Sequence, residues 1–445
     1  MTVFRTAFIY PVALLLLAVC INSQASDSKA PGSQVRVVQA SDGRFVLMRN
    51  GEAYEVKGAG LGSGDLGVLK AAGGNSVRTW GIEQLQQRFD GKPLLDRAQE
   101  LGITVSVGLW VQHTRHGFDY GDSAQVERQR ERIREAVTRY RDHPAVLTWS
   151  LGNEAEAFGQ AEADDRIWQE LNYLAGMIKQ LDPHHPVMTV IAASSHTEMT
   201  RHIDSIHQHY PNLDILGVNA YAAASGVGQN LPGQGWEGPY LLTEFGVAGT
   251  WEVRKTAWGA PIESDPSTKA ADSYAVYKAD RERNEGRRLG SYVFLWGNKQ
   301  ETTSTWFGMF LPTGEKLPRV DAMAYAWSGQ WPANRAPKLR SLKTPVALKM
   351  VDANTRFPAE ADIYDREGDE LRYVWEIRAE STDRRIGGDS EIAPPSFPDA
   401  IEKGQGTDRV ELRTPRQSGA YRLFVTAYDG QGGAVVHNLP FFVED

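Results

Sequence analysis

The sequence predicts an α/β chain, a (β/α)8 TIM barrel followed by an all-β sandwich domain. Three observations carry that expectation. Short apolar runs alternate with amphipathic segments eight times before Trp331. Beyond Trp331 the alternation gives way to short strands separated by polar turns. The best-defined apolar run, through Val146, Leu147, Trp149 and Leu151, stops abruptly at Asn153-Glu154. A nearly continuous apolar strand is one covered on both faces, and its C-terminal end is where ligands bind in parallel α/β folds.

Residues 1–25 read as an export signal, with Arg5, an apolar run over 12–19 and Ser23-Gln24-Ala25 as the cleavage site. The mature chain is expected outside the cytoplasm, periplasmic or secreted. The run between Pro11 and Asn22 is too short to span a bilayer, so no integral membrane span is expected. Leu17-Ala18-Val19-Cys20 resembles a bacterial lipoprotein box, which leaves anchoring through Cys20 as the alternative. Cys20 is the only cysteine, so a chain cleaved after Ala25 holds together through its core and not through disulfides. With 56 acidic against 48 basic residues and no long basic run, nucleic acid is a poor partner.

Residues 26–34 form a small, polar, flexible leader. Residues 35–56 alternate around Asp42-Gly43 and Asn50-Gly51, as short antiparallel strands that could plug the floor of a barrel. Barrel strands follow at 54–58, 76–80, 103–110, 145–151, 186–191, 213–219, 240–245 and 289–296. Between them lie helical stripes such as Leu94, Leu95, Ala98 and Leu101, or Ile167, Leu171, Leu174, Ile178 and Leu181; Val320, Met323, Ala324 and Trp327 mark the last. A doubly wound open sheet competes, but nothing would stop it at eight units. The barrel with its hairpin thus spans 35–332, a linker 333–344, and the sandwich 345–445, with strands at 346–350, 359–364, 372–377, 410–412, 421–428 and 435–443.

Hydrolysis of a glycosidic bond with retention requires two carboxyl groups about 5 to 5.5 Å apart, one attacking the anomeric carbon and one protonating the leaving oxygen. A barrel supplies them by ending two strands in glutamate. Glu154 closes the fourth strand, and Leu241-Leu242-Thr243-Glu244-Phe245-Gly246 places Glu244 at the end of the seventh. Asp142-His143-Pro144-Ala145-Val146 through Trp149-Ser150-Leu151-Gly152-Asn153-Glu154, with Thr243-Glu244-Phe245-Gly246, resembles the clan A retaining glycoside hydrolases, most of all the family 2 catalytic domain, with family 5 close behind.

The resemblance implies Glu154 as acid/base, Glu244 as nucleophile, Asn153 on the sugar 2-hydroxyl, Arg78 and Tyr221 on the nucleophile, and Trp296 as the floor of the reacting sugar's site. Trp80, Trp110, Trp251 and Trp306 lie at or after strand ends, where rings can stack on sugar C–H faces. His113 follows strand three on the same face and could touch substrate. Glu156 and Glu252 are rivals placed in loops. A metal enzyme would use His113 and His116, but His207 and His209 lie before their strand, near the opposite face. In the second domain, Asp365-Arg366-Glu367-Gly368-Asp369 and Tyr373-Val374-Trp375 resemble an Ig-like or PKD-like repeat, whose acidic turn could hold calcium or simply face solvent.

The expected protein is an exported retaining β-glycosidase or endo-β-glycanase. It needs no cofactor and acts on a β-linked oligo- or polysaccharide. A transglycosylase with the same residues is the near variant, and a noncatalytic polysaccharide-binding scaffold the distant one.

Overall fold

The computed structural model describes residues 32–156, 165–284 and 286–444. The expected signal, Cys20 and most of the expected leader lie outside them. Eight strands, β1 (Val56–Leu61), β2 (Ser76–Arg78), β3 (Thr104–Leu109), β4 (Val146–Leu151), β5 (Val187–Ala192), β6 (Ile215–Asn219), β7 (Tyr240–Phe245) and β8 (Arg288–Trp296), form a closed barrel. Every pair is parallel, and β8 returns to β1 through Gly290↔Val56, so the open-sheet alternative is excluded. The first strand starts two residues later than expected because Tyr54 is used otherwise: its hydroxyl donates to the Asn75 carbonyl at 2.7 Å.

The strands are buried on both faces, which is why their sequences run apolar instead of alternating. Helices such as Leu94–Leu101, Ser123–Tyr140, Arg166–Leu181 and Pro318–Ser328 cover the outside with the apolar stripes read from their spacing. Inside, polar side chains satisfy one another: Ser76 meets the Tyr292 hydroxyl at 3.0 Å, and Ser106 meets Thr148 at 2.6 Å. Gly58 makes room for that tyrosine, since a Cβ there would lie 2.4 Å from its ring.

Residues 35–53 form a three-stranded sheet, Val35–Gln39, Phe45–Arg49 and Glu52–Ala53. Val35 and Leu47 pack against Leu147, Met188, Ile215 and Leu241 from the N-terminal halves of the strands, so the sheet closes the barrel floor. The flexible leader ends earlier than expected. Ser33 is buried, donates to the Val146 carbonyl at 2.6 Å and meets His185 at 2.8 Å.

The C-terminal region has two four-stranded sheets, β9-β11-β14-β13 and β10-β16-β15-β12. Their strands are β9 (Lys338–Lys343), β10 (Met350–Asp352), β11 (Arg356–Tyr364), β12 (Arg372–Ala379), β13 (Ile401–Lys403), β14 (Arg409–Arg413), β15 (Gly419–Tyr428) and β16 (Ala434–Glu444). Phe357, Trp375, Ile377, Leu412, Leu423, Val425 and Phe441 fill the space between the sheets. Two expectations are corrected here. The linker 333–344 contains β9, an edge strand whose Lys and Arg residues hide its pattern, as exposed edges commonly do. The strand expected at 346–350 begins only at Met350, because Leu348 adopts a left-handed φ of 57°.

The sandwich is not loosely tethered. Buried Arg422 donates to the Pro261 carbonyl at 2.7 Å, pairs with Glu380 at 2.7 Å and bonds Asn438 at 2.8 Å. Asn438 in turn donates to Glu263 at 2.7 Å, and Glu263 pairs with Lys269 and accepts from Thr303 at 2.6 Å. Burial raises the Glu263 carboxyl, but the Lys269 ammonium and these hydrogen bonds win and hold it at about 2. Among the described residues, no helix is long and apolar enough to cross a membrane.

Candidate active site

At the C-terminal end of β4 the chain turns sharply. Gly152 and Glu154 both have left-handed φ, 77° and 49°. That conformation is uncommon for a residue with a Cβ. It is held because Gly152 N donates to the Leu109 carbonyl at 2.9 Å and Glu154 N to the Val190 carbonyl at 2.8 Å. Two neighbouring strands thus fix the backbone that aims the Glu154 carboxyl.

The two glutamates share one hydrogen-bonded chain of side chains. Arg78, fully buried at the end of β2, donates to Glu244 Oε1 at 3.0 Å and to Asn153 Oδ1 at 2.7 Å. Asn219, at the end of β6, donates to both Asn153 Oδ1 at 3.1 Å and Glu154 Oε1 at 2.7 Å, and its own oxygen accepts from Thr243 at 2.8 Å. Glu244 further accepts from Trp80 Nε1 at 2.9 Å and from the Tyr221 hydroxyl at 2.7 Å. Both terminal nitrogens of Arg78 are thus engaged, while its buried Nε has no hydrogen-bond partner.

The environments of the two carboxyls differ. Burial pushes Glu154 up to about 7, and the negative charge of Glu244 pushes the same way against the Asn219 hydrogen bond and Arg78. Glu244 has a guanidinium, an indole N–H and a phenol on its two oxygens. Burial and that same carboxylate push the Tyr221 phenol well above its ordinary value, so it stays a donor.

Of the expected site residues, Glu154, Glu244, Asn153, Arg78, Trp80 and Tyr221 meet here. His113 and Trp110 lie beside them: their rings stack at 4.8 Å, and Arg115 donates to His113 Nδ1 at 3.1 Å. Burial, then the charges of Arg115 and His116, lower His113 to about 4, so it is neutral at physiological pH. Trp251 is 60 % exposed and sets its ring edge-on to Tyr221, centroids 5.6 Å apart. Trp306 is buried and donates to the Ala248 carbonyl at 2.9 Å.

Trp296 is the correction. Its indole is fully buried, packs on Phe310 and Trp327 and donates to the Asp65 carbonyl at 2.9 Å, so it belongs to the layer between strand and outer helix. Regular alternation would put Phe294 and Trp296 on one face. The β8–β1 pairing shifts register between Val293 and Trp296, and Phe294 instead turns its ring toward Trp80 and Tyr221 at 5.8 and 6.0 Å, where Phe307 joins it. Buried Arg319, on helix Pro318–Ser328, donates to the Phe294 and Phe307 carbonyls at 2.7 Å each. Asn219, Phe294, Phe307 and Arg319 were not read from the sequence. Only Asn219, at a strand end beside Tyr221, carried a usable signal.

The rivals have other work. Glu156 accepts from Ala192 N at 2.9 Å on the far side of the turn, and burial raises it to about 8. Glu252 accepts from Gly249 N at 2.6 Å and Ala222 N at 3.1 Å, tying two loops together. His116 meets Asp389 at 3.1 Å, while His207 stacks near Trp236 and meets the Gly235 carbonyl at 3.0 Å. Asp365 accepts from three backbone N–H groups of its own turn. Among the described residues, no group of three His, Cys, Asp or Glu is placed to hold a metal ion.

Residues 63–251 match the family model described as glycosyl hydrolases family 2, TIM barrel domain. The chain is similar to a beta-glucuronidase of Sus scrofa, 24% identical over 237 residues, which is 49% of this chain and 32% of that protein. It is also similar to a probable mannan endo-1,4-beta-mannosidase F of Aspergillus flavus, 27% identical over 147 residues, or 28% of this chain and 31% of that one. These matches span about a third of either relative. A solved structure of Bacteroides uniformis beta-glucuronidase 2 aligns with 14% identity at a TM-score of 0.49, covering 90% of this chain and 47% of that one. Over residues 63–251 the barrel is therefore similar to the TIM barrel domain of glycosyl hydrolases family 2.

Proposed function

We propose that the chain is a retaining β-glycoside hydrolase acting by double displacement on a β-linked oligo- or polysaccharide. The observation that carries this reading is the hydrogen-bonded chain Glu154–Asn219–Asn153–Arg78–Glu244 at one end of the barrel. In the first step a Glu244 oxygen attacks the anomeric carbon while Glu154 gives its proton to the departing glycosidic oxygen. A glycosyl ester forms, the C–O bond to the leaving sugar breaks, and the charge of Glu244 disappears. Glu154 has given up its proton and, with that neighbouring charge gone, stays ionised and free to act as general base. It takes a proton from water, whose oxygen attacks the same carbon and returns Glu244 as a carboxylate.

Arg78 and Tyr221 hold the nucleophile in position, and Asn153 faces the sugar 2-hydroxyl, a contact that gains strength as positive charge grows on the ring. The names of the two curated relatives, a glucuronidase and a mannosidase, support β-linked hexose or hexuronic acid substrates. The test is trapping with 2-deoxy-2-fluoro β-glycosyl fluorides of glucose, mannose, galactose and glucuronic acid. One of these is expected to add its glycosyl mass to the peptide bearing Glu244. Label on another residue, or undiminished turnover in Glu244→Gln, overturns the reading.

A further inference from the structure

We propose that a loop of the C-terminal sandwich, residues 386–391, walls off the glycone side of the substrate cleft, so that the chain removes single sugars from the non-reducing end. This rests on the retaining reading above.

Between β12 and β13 the chain leaves the sandwich and lies on the mouth of the barrel. Arg115, in the loop after β3, donates to the Ile386 carbonyl at 2.8 Å and grips both Asp389 oxygens at 3.1 and 3.3 Å; His116 adds a contact at 3.1 Å. On the β8 side, Thr302 N donates to Glu391 at 2.6 Å. The loop lies flush on both supports. A Cβ on Gly387 would fall 2.8 Å from the Arg115 guanidinium, and one on Gly388 3.1 Å from the Lys299 ammonium. It is also braced from within, Arg385 N to Glu391 at 3.1 Å and Ile392 N to Asp383 at 2.9 Å. A segment held at both ends and internally is a fixed wall.

The wall stands close to the chemistry. Arg115 acts on the charge of Glu154, and the charges of both Glu391 and Glu244 act on Glu301. Its side of the cleft follows from the mechanism. Glu154 protonates the leaving oxygen, so the leaving group lies over β4. In a closed ring of eight strands β8 stands opposite β4. The glycone therefore extends toward β8, where Thr302 and Lys299 carry the loop. A second sugar on that side meets protein in place of solvent, while the loop's other support, Arg115 after β3, stands beside β4 at the border of the leaving-group side.

The full-length protein is tested on pentasaccharides of β-1,4-linked glucose and β-1,4-linked mannose labelled at the reducing end, alongside 2,4-dinitrophenyl β-glycosides of glucose, mannose, galactose and glucuronic acid. The expected first labelled product is the tetrasaccharide. Replacing residues 386–390 by two glycines, or the milder Asp389→Ala, is expected to shift early products toward labelled di- and trisaccharide while dinitrophenol release is kept. Internal cleavage by the wild-type protein overturns the proposal. So does an unchanged tetrasaccharide product in loop variants whose thermal midpoint matches wild type. Absence of Glu244-dependent release from every probe overturns instead the retaining-hydrolase reading, and with it this one.

Discussion

Glu154 shows how one residue's surroundings set its chemistry. Its carboxyl is raised to about 7 first by burial and then by the charge of Glu244, and the acid role proposed for it requires the protonated form. Because protonation is what is needed, kcat/KM is expected to fall as pH rises through about 7. Glu154→Gln should remove that alkaline limb, abolish turnover of unactivated sugars, and leave release of 2,4-dinitrophenol measurable and accelerated by azide. Glu156 tests the opposite sign. Its carboxyl, raised to about 8, is protonated in the folded chain where an unfolded glutamate is already ionised, so folded stability falls as pH climbs from the ordinary glutamate value toward 8. Glu156→Gln is therefore expected to raise the thermal midpoint at pH 8 relative to wild type and to leave it nearly unchanged at pH 4. Exposed Trp251 offers a flat face beside Tyr221. Trp251→Ala should raise KM for oligosaccharides by about 5- to 30-fold, the loss of roughly 1 to 2 kcal/mol of aromatic contact, with little change in kcat.

At the scale of elements, what the sequence told and what it withheld divide along burial. Strand ends were legible because a buried parallel strand is a nearly unbroken apolar run, and Glu154 and Glu244 each stop one. The direction of a ring at the end of a strand was not legible, since it depends on register and on bulges. The β7–β8 pairing shifts between Leu242 and Phe245, and the β8–β1 pairing between Val293 and Trp296. Those shifts decide that Phe294, and not Trp296, faces Tyr221. Arg319 was invisible for another reason: it reads as a surface residue on an amphipathic helix, yet it ties the backbone at Phe294 and Phe307. Arg319→Met removes hydrogen bonds that buried carbonyls cannot replace, at a cost of about 1 to 3 kcal/mol each. The expected outcome is a lower thermal midpoint and a lower kcat, which denaturation curves and initial rates would separate from the wild-type pattern.

For the whole molecule, the boundary read from composition marks where the texture of the sequence changes and is silent about contact. Nothing in the sequence pairs Arg422 with Glu380, or Asn438 with Glu263, because partners across an interface carry no local periodicity. Removing one member of a buried ion pair costs about 3 to 5 kcal/mol, so Arg422→Ala should lower stability by that order. The two parts are expected to melt in a single calorimetric transition in the wild-type chain, and in two transitions in Arg422→Ala. The same knot has a consequence for synthesis. The loop that follows β7 is fastened by residues made later, so a nascent or truncated polypeptide lacking Arg422 and Asn438 leaves the Pro261 carbonyl and Glu263 without these clasps. The loop beside the barrel mouth then waits for the sandwich to be made, and a chain stopped before Arg422 is expected to be less stable than one that contains it.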